Sequence, residues 1–551
     1  MLIVSRLKLI RRRFKRRKIA AWEGWFTSAT FHNTQLQGAR VRLHDVFTKK
    51  GPTSEVERDE SAEASHPSQF AILRSLSSGI GRAVILTLLV AALVAASFTH
   101  AAGQKKLEPT TVKAPEHFRG SNPAATDNQP SIGDLKWFEV FKDPNLQDLI
   151  KTATVQNYDV RAAVVRINAA RANVGLARSE QFPQFAASSD LTTIRSSNNA
   201  QFVPAGQGGK SRSFGSLFLN LLSFELDVWG RLRDQTKAAR AELRASEADR
   251  RAVQTTVVSD VATGYFSLLE LDNELEIAKR TLASRVESLA LIRLREQNGV
   301  ASTLEVREAE QLVYQASKTI PDTQRLIERT ENQISFLLGA NPGPIARGRL
   351  TEQQELPAVP PGLPSSLLER RPDIRAAEEN LAGQRALVSA ARKAYFPRIS
   401  LTGLLGFQSN SLSSLFSGPS GAWSFIPQIT QPIFTGGRLK SNVKSARAQQ
   451  ELALVQYQAT IQNAFREVSD SLVEYEKVKE IRVHQEQLVT TLRDRSRLAY
   501  LRYQGGVDTL LNALDADRDL FDAELNLAQT KRNELLSLVQ LYKALGGGWQ
   551  Q

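Results

Sequence analysis

The longest regular pattern in the sequence is a coiled-coil-like spacing of apolar side chains towards the C-terminal end. Residues 438–504 contain no glycine or proline, and apolar or aromatic residues recur there in steps of three and four. The positions that show these steps are Tyr457, Ile461, Ala464, Val468, Leu472 and Tyr475. This spacing places them on one face of an α-helix. At about 1.5 Å per residue the helix would be roughly 100 Å long, far more than a globular domain needs.

A matching set of helices is predicted in the first half of the chain. One long helix over 231–297 ends at a turn at Asn298-Gly299, and a returning helix of about 304–338 covers half of its length. The helix predicted over 158–181 is long enough to cover the rest. Two shorter helices would therefore lie end to end beside one long helix. Pro321, inside the returning helix, predicts a kink or an irregular turn there.

These helical regions belong to an internal repeat. Residues 157–183 align without a gap to residues 371–397, with 11 of 27 positions identical. The offset between the copies is 214 there, and it falls to 207 farther along, where Gly299-Val300 matches Gly506-Val507. The second offset holds for more than 100 residues. The chain therefore carries two copies of one structural unit with few insertions.

The difference between the two offsets falls in segments that are poor in charge and resemble strand, loop and strand. Alternating and β-branched positions predict two strands in each copy, over 185–194, 216–229, 399–407 and 423–434. Pro427 and Pro432 argue against a central position for the last strand.

Four strands are too few to close a membrane-spanning barrel, for which about eight are needed. An open sheet would leave unpaired strand edges in hydrocarbon, where each unpaired backbone group is costly. Several copies must therefore contribute to one barrel, and a closed ring is the natural symmetry. The sequence thus predicts a mainly α-helical fold with a small β part. A long α-helical coiled-coil barrel would be joined to a transmembrane β-barrel that the copies share.

The N-terminal region differs from the rest in charge and hydropathy. An uncharged apolar run over 83–98 follows Arg82 and precedes the small residues Ala101 and Ala102. A run of this length makes about 24 Å of helix, short for a membrane crossing but typical of a signal-peptide core. A secretion signal is favoured over a retained anchor. The polar lead is either a real extension or the result of a start assigned too far upstream, since Met1 is the only methionine.

These observations divide the chain into six parts. They are a basic and polar N-terminal extension, a signal peptide, a linker, a first repeat, a Pro-rich linker and a second repeat, over 1–82, 83–102, 103–135, 136–345, 346–365 and 366–551.

Charge and composition exclude several classes of function. The formal net charge is +14, but residues 1–82 carry +9 of it, so the body of the chain offers little support for nucleic-acid binding. Cysteine is absent, which excludes disulfides, thiol nucleophiles and cysteine metal sites. GQGGKS (206–211) would need a glycine at Pro204 to form a phosphate-binding loop. The six histidines include no HxxxH pair. No catalytic group, cofactor or metal site is predicted, and the chain is not expected to be an enzyme.

Several motifs together resemble one family. They are GLPSSLLERRPDIRAAEENL (362–381), AYFPRISLTG (394–403) and QPIFTGGRL (431–439), which resemble the hallmark segments of TolC-type outer-membrane efflux factors. More narrowly, they resemble the branch that serves resistance-nodulation-division multidrug pumps. WFEVFKDPNLQDLI (137–150) is similar to the start of the mature domain in that branch. The resemblance covers about residues 130 to 546.

The resemblance implies a homotrimer in the outer membrane, with its helical part in the periplasm. Such a channel passively conducts drugs or other small molecules. The implied partners are a periplasmic adaptor (a membrane fusion protein), an inner-membrane resistance-nodulation-division pump and outer-membrane lipid, and nucleic acid is not among them. Members of this branch are often lipoproteins anchored through an N-terminal cysteine. This chain has no cysteine for such an anchor.

The resemblance also implies a periplasmic gate at the tip of the second copy. Tyr503, Asn512 and Asp515 fall where the aromatic and acidic gate positions are expected. Asn512 replaces an acid found in some members, which predicts a weaker acidic ring. In this family a basic residue can occur at the position of Asp508 and form a salt-bridge latch. Because Asp508 is acidic, the sequence argues against such a latch here. The two turns expected to dock the adaptor contain Gly299 and Val300 in the first copy, and Gly505, Gly506 and Val507 in the second.

One alternative stays open at this level, a periplasmic coiled-coil adaptor or scaffold protein. Two strand hairpins placed symmetrically between helical hairpins argue against it, because an adaptor inserts its helical hairpin once into a β-rich body. The transported compound, the cognate pump and adaptor, the true start and the resting state of the gate do not follow from the sequence.

Overall fold

The computed structural model describes residues 115, 118–119, 131–195, 197, 211–350 and 364–549. The predicted extension 1–82 and signal peptide 83–102 lie outside these residues, as do most of the linker 103–135 and residues 351–363 of the second linker. All described residues belong to one unit, Leu88–Gln551.

The described part is built mainly of helices. After a short 3-10 turn at Ile132–Asp134 come α1 (Trp137–Val140), α2 (Pro144–Gln156) and α3 (Tyr158–Ser179). The long helix α4 (Arg231–Gln297) and the returning helix α5 (Thr303–Leu337) complete the first repeat. The second repeat contains α6 (Pro364–Arg370), α7 (Pro372–Lys393), α8 (Arg438–Gln504) and α9 (Leu510–Ala544).

The helix lengths confirm the predicted arrangement in both repeats. Helices α4 and α8 have 67 residues each, whereas α5 and α9 have 35 each. Helix α5 passes Pro321 without the irregular turn that the sequence suggested. Ala316 and Thr323 are buried on either side of the proline, so packing holds the helix together across the missing N–H.

The strands form one antiparallel sheet in the order β1-β2-β3-β4. They are β1 (Phe185–Arg195), β2 (Ser211–Leu226), β3 (Arg398–Ser409) and β4 (Gly421–Thr430). Strand β2 pairs with β3, so the two hairpins share one sheet, and a bulge between Leu221 and Phe224 shifts their register. Within the chain β1 and β4 are the two edges, and Pro427 lies on the β4 edge, opposite Leu401.

Strand β2 begins at Ser211, five residues before the predicted start, and the predicted C-terminal ends of β2 and β4 were wrong. Strand β2 was expected to reach residue 229, but it ends at Leu226 because Asp227 turns the chain into α4. The Asp227 carboxylate accepts hydrogen bonds from the backbone N–H groups of Leu232 and Arg233, at 3.0 and 2.8 Å. Strand β4 was expected to reach residue 434, but it ends at Thr430, two residues before Pro432.

The main core lies where the short helices meet the long ones. Tyr265 of α4 and Tyr542 of α9 are fully buried there. The Tyr265 hydroxyl donates to the Asp143 carboxylate at 2.7 Å, and the Tyr542 hydroxyl donates to the carbonyl of Leu135 at 2.9 Å. These bonds attach the segment around α1 and α2 to both long hairpins.

Equivalent residues make equivalent bonds where the short helices abut. Asn157, the N-cap of α3, donates from Nδ2 to the carbonyl of Leu337 at 2.8 Å. Arg371, the N-cap of α7 and the repeat partner of Asn157, donates to the carbonyl of Ala544 at 2.9 Å. Leu337 and Ala544 are themselves equivalent at an offset of 207. The internal repeat is therefore present in the contacts as well as in the sequence.

Among the described residues, no helix has both the length and the hydropathy needed to span a membrane.

Candidate functional site

The two helical hairpins end in tips of the same design. Helices α4 and α8 are each followed by a glycine in the left-handed region, Gly299 at φ 71° and Gly506 at φ 73°. The following residues close the turn, with Val300 N–H donating to the carbonyl of Arg295 at 2.8 Å and Val507 N–H donating to that of Arg502 at 3.0 Å. A non-glycine residue adopts this conformation only at a cost. The sequence therefore specifies both turns locally.

Both tips present an exposed valine. Val300 is 65% exposed and Val507 is 66% exposed. Gly505, the C-cap of α8, is also exposed. The five residues predicted to dock an adaptor thus form two matching turns, each with an apolar side chain in solvent.

The helices that leave the tips are capped differently. Ser302 and Glu305 form a reciprocal capping box at the start of α5. At the start of α9 the N-cap Thr509 makes no side-chain capping bond. The preceding Asp508 carboxylate accepts from Thr509 N–H at 2.8 Å, Asn512 Nδ2 at 2.6 Å and Arg502 Nε at 3.0 Å. The hydrogen bonds from Asn512 and Arg502 hold the pKa of Asp508 below its usual range. Asn512 therefore supports a neighbouring carboxylate instead of pointing freely into solvent.

Tyr503 lies in the apolar cluster between the two tips. It is 6% exposed, and the guanidinium of Arg295 from α4 lies 4.7 Å from its ring centre. Burial raises the pKa of Tyr503, against the opposing charge of Arg295. The Tyr503 hydroxyl finds no hydrogen-bond partner in the described part of the chain. Together with Tyr503 of α8, the cluster contains buried residues of α4, α5 and α9: Leu289, Ile292, Val306, Ala309, Leu312, Leu510, Ala513 and Leu514.

Asp515 is the one carboxylate among the three predicted gate residues. Its side chain is 38% exposed and pairs with Arg518 one turn farther along α9, at 3.1 Å. Asn512 and Asp515 are three residues apart and share a helix face. Tyr503 is buried between the tips, so the structure does not bring the three predicted residues into one contact.

The sequence interpretation missed a buried ion pair between the hairpins. Arg285 of α4 is 3% exposed and donates from Nε to the Asp517 carboxylate of α9 at 2.7 Å. It also donates to the carbonyl of Leu312 at 2.9 Å, and its guanidinium lies 4.9 Å from the Phe521 ring centre. Asp517 is therefore not an ordinary carboxylate on the surface of a charged helix, because its side chain is largely buried in this pair. Arg285 lies four residues before Leu289 on an otherwise apolar stripe, and that interruption was the available signal.

Further polar contacts join α4 to α9 along the same seam. Glu524 of α9 pairs with Arg280 of α4 at 2.5 Å and with Arg493 of α8 at 2.6 Å.

Nearer the main core the seam contains two buried carboxylates. Glu270 and Glu274 are buried on α4, where Arg532 and Gln529 of α9 donate to them. Burial and the neighbouring Glu274 raise the pKa of Glu270 to about 8. The seam between the hairpins is therefore held by charge as well as by apolar packing.

The described residues contain no group of three or more metal-ligating His, Asp or Glu side chains.

Long helical hairpins that continue into a four-stranded antiparallel sheet are shared with solved outer membrane channels, and this architecture defines the class of protein. The chain belongs to the outer membrane efflux protein family, whose model matches residues 149–340 and 363–547. It is therefore an outer-membrane component of efflux systems.

Individual relatives agree with this assignment. The toluene efflux pump outer membrane protein TtgC of Pseudomonas putida is 38% identical over 421 residues, covering 75% of this chain and 85% of the relative. The outer membrane protein OprJ of Pseudomonas aeruginosa is 36% identical over 440 residues, covering 80% and 91%. The open-state MtrE outer membrane channel of Neisseria gonorrhoeae superposes with a TM-score of 0.73 at 32% identity, covering 81% and 98%.

Proposed function

We propose that this chain forms the passive exit duct of a three-part export system, as a homotrimer that works with a periplasmic adaptor and an inner-membrane resistance-nodulation-division pump. Drugs or other small molecules would pass through it to the exterior, with no catalytic step, no cofactor and no nucleic-acid partner. The relative TtgC is named for toluene export, which supports a small apolar cargo.

The observation that carries this proposal is the open sheet beyond the long hairpins. Strands β1 and β4 are both edges within the chain, and Trp423, Phe425 and Ile429 of β4 are 77%, 58% and 70% exposed. Apolar side chains outside a sheet suit lipid, but unpaired backbone groups do not. Pairing of β4 with β1 of another copy would remove the edges and close a shared transmembrane barrel. That barrel would hold the protein in the outer membrane without a lipid-modified cysteine, and the helices would extend into the periplasm.

We place the gate of this duct at the tip of α8 and α9. Asp508 and Asp515 would be repeated by the symmetry of the ring, giving a negatively charged constriction that favours cations. Opening would require the α8–α9 hairpin to move away from α4, and the Arg285–Asp517 pair spans this seam. Tyr503 would act as the apolar contact that holds the tips together in the closed state.

The exposed tips are the proposed docking sites of the adaptor. Gly299 and Val300 in the first repeat and Gly505, Gly506 and Val507 in the second would give similar turns around the ring. Because Val300 and Val507 have nearly equal exposure, an adaptor hairpin would meet similar apolar surfaces at each position.

The test is the native mass of the detergent-extracted protein, followed by single-channel conductance in a planar bilayer. A trimer with a small resting conductance is expected, and Asp517→Asn should raise that conductance by releasing the seam. Asp519→Asn is the matched control, because Asp519 pairs with Arg495 at a half-exposed surface position. A monomeric native mass would contradict the proposed duct. A conductance that no change at Asp508, Asp515 or Asp517 alters would contradict the proposed gate.

A further inference from the structure

The loop between β3 and β4 packs back on one face of the sheet. A Cβ built on Gly215 of β2 would lie 3.2 Å from Leu412 Cδ2 and 3.5 Å from Leu415 Cδ2, both in that loop. It would also lie 3.6 Å from Cδ2 of Leu191, the residue opposite Gly215 on β1. Because directly opposed residues of antiparallel strands point to the same face, the two loop leucines cover the face to which Leu191 points.

Two further contacts hold the loop on that face. The ring centres of Phe407 and Phe416 are 5.8 Å apart in an edge-to-face arrangement. The hydroxyl oxygens of Ser409 and Ser414 are 2.7 Å apart. Ser409 lies opposite Gly215, and Phe407 is two residues before Ser409 on β3, so both strand residues point to the same face as Gly215. The loop is therefore folded over this face of the sheet.

The face that the loop covers, here called the outer face, is the more apolar of the two. It includes strand residues that are 39% to 77% exposed: Leu191, Leu217, Leu219, Leu405, Trp423, Phe425 and Ile429. The opposite face carries a carboxylate and every amide side chain of the four strands: Asp190, Asn220, Gln408 and Gln428. A transmembrane barrel turns apolar side chains to lipid and polar ones to its lumen. In the proposed barrel the loop therefore lies on the lipid side.

The composition of the loop suits a surface in contact with lipid. Residues 399–437 contain no charged side chain. Every serine hydroxyl of residues 411–420 has a hydrogen-bond partner within the loop, including the 2.7 Å bonds from Ser417 and Ser420 to the carbonyl of Ser414. Polar groups whose hydrogen bonds are made internally cost less free energy beside hydrocarbon than groups that need water.

Two apolar side chains of the loop remain exposed. Leu412 is 56% exposed and Phe416 is 70% exposed. Phe407, which Phe416 contacts, is two residues farther along β3 than Leu405, the partner of Trp423. Two strand residues span about 7 Å, and tryptophan is enriched at membrane–water interfaces. Phe416 therefore lies close to the level of the outer hydrocarbon boundary.

We propose that the loop 410–420 is a lipid-binding surface, with Leu412 and Phe416 inserted among the lipids of the outer leaflet where headgroups meet acyl chains. This inference rests on the proposed barrel and concerns its outer rim. The apolar outer face of the strands continues into the exposed side chains of the loop, so one occupant, lipid, covers both. The loop lies away from the pore mouth and does not act as a lid over it.

Spin labels test the medium around the loop, because the chain has no cysteine and each label can be placed alone. Phe416→Cys reports on the loop, Leu405→Cys on the lipid side of β3 and Gln408→Cys on its lumen side. All three side chains are exposed, so the labelled chains should still form the native trimer. The proteins are reconstituted in vesicles of phosphatidylethanolamine and phosphatidylglycerol. The accessibility of each label to oxygen and to a water-soluble nickel chelate is then measured.

Phe416→Cys should resemble Leu405→Cys. Its ratio of oxygen to nickel accessibility should exceed that of Gln408→Cys by about tenfold, since hydrocarbon dissolves apolar oxygen and excludes the polar chelate. A ratio equal to that of Gln408→Cys would place the loop in water and overturn the proposal. Low accessibility to both reagents would mean that protein covers the loop, which would also overturn it.

Distances between labels within the trimer give a second, independent readout. A loop on the outer face places Phe416 farther from the symmetry axis than Gln408, so the label-to-label distances from Phe416→Cys should be the longer ones. A loop folded over the pore would bring the Phe416 labels together near the axis, and shorter distances would therefore refute the proposal. Any of these refuting results in a native trimer would leave the proposed duct intact, whereas a monomeric native mass would overturn both.

Discussion

The joints at the starts of α3 and α7 show how one backbone arrangement is held by two kinds of chemistry. At the first, the neutral amide of Asn157 caps α3 and donates to the carbonyl of Leu337. At the second, the buried guanidinium of Arg371 donates to the equivalent carbonyl of Ala544 and also binds Asp373 and Glu467, at 2.6 and 2.7 Å. The first joint connects two helices, whereas the second also fastens α8 through Glu467.

The repeat therefore preserves a hydrogen bond to a backbone carbonyl, whereas the side chain that donates this bond differs between the two copies. Both joints also contain a left-handed glycine soon after the returning helix, Gly339 at φ 69° and Gly546 at φ 81°. A neutral cap suffices where two helices meet. Where a third helix must be held, a buried cation with two carboxylates replaces it, and such a network is sensitive to the loss of any member.

The largest expected effect is at the charged joint. Arg371→Ala leaves Asp373 and Glu467 without their cation and the carbonyl of Ala544 without its donor. Removal of one partner from a buried ion pair costs about 3–5 kcal/mol. Guanidinium chloride unfolding of the detergent-solubilised protein should show this loss in the free energy of unfolding.

Arg375→Ala is the matched control for Arg371→Ala. Arg375 lies one turn farther along α7, is exposed, and donates to the carbonyl of Glu369 at 3.2 Å. Its loss should cost less than about 1 kcal/mol. Equal effects of the two changes would mean that the Arg371 network contributes nothing beyond a surface arginine.

The next largest effect is expected at a glycine of the neutral joint. A Cβ on Gly339 would lie 2.7 Å from the carbonyl oxygen of Gln156, in addition to the left-handed backbone. Gly339→Ala should therefore cost about 2–4 kcal/mol. Gly299→Ala has the same backbone strain but open space around the new Cβ, and should cost about 1 kcal/mol. Thermal midpoints of the two variants would separate strain from steric overlap, and identical midpoints would refute the close contact.

Equivalent positions of the two repeats should differ in how they affect the pH dependence of the free energy of unfolding. Burial raises the pKa of Glu270 to about 8, whereas its repeat equivalent, Lys477, is exposed. Because the folded-state pKa lies above the unfolded value, Glu270 contributes stability that is complete below about pH 4.5 and is lost as pH rises through 8. The free energy of unfolding should fall by at least about 1.4 kcal/mol between about pH 5 and 9 from this group. Glu270→Gln should flatten that fall and Lys477→Gln should not; an unchanged slope in Glu270→Gln would contradict the assignment.

The smallest effect is expected at the neutral cap itself. Asn157→Ala removes the acceptor for the N–H groups of Asp159 and Val160 and the donor to Leu337, and should cost about 1 kcal/mol. Asn157→Asp keeps the capping acceptor but removes the donor to Leu337. Its free energy of unfolding should therefore lie between those of the wild type and Asn157→Ala. If Asn157→Ala destabilised the protein as much as Arg371→Ala, the two joints would not differ in their chemistry as described.

Much of the fold followed from local pattern. Apolar spacing located α8, and repeat matching located its counterpart α4 with the correct ends at both tips. Glycine placement identified the turns at Gly299 and Gly506. Asp159 and Asp373 lie in the first turns of α3 and α7, where an acidic side chain complements the helix dipole. These features depend on neighbouring residues along the chain, which a sequence displays directly.

The candidate site was predicted less completely. Tyr503 was assigned to the gate, but its burial beside Arg295 depends on how the first hairpin packs on the second. Asn512 was predicted to replace an acid at the gate, and its hydrogen bond to Asp508 did not follow from the sequence. Asp517 gave no sign of its partner, since Arg285 lies 232 residues away in the chain.

The two repeats, the helix lengths, the existence of four strands, the tip turns and the family all follow from the sequence alone. Each of these can be inferred from composition, from the periodicity of apolar residues or from a motif. Three features depend on the tertiary structure: β2 pairs with β3, α9 covers Glu270 while Lys477 stays in solvent, and Ala241 of α4 is buried while its repeat equivalent, Ala448 of α8, is exposed. Periodicity marks which face of a helix is apolar, but the identity of the partner depends on contacts between residues far apart in the chain.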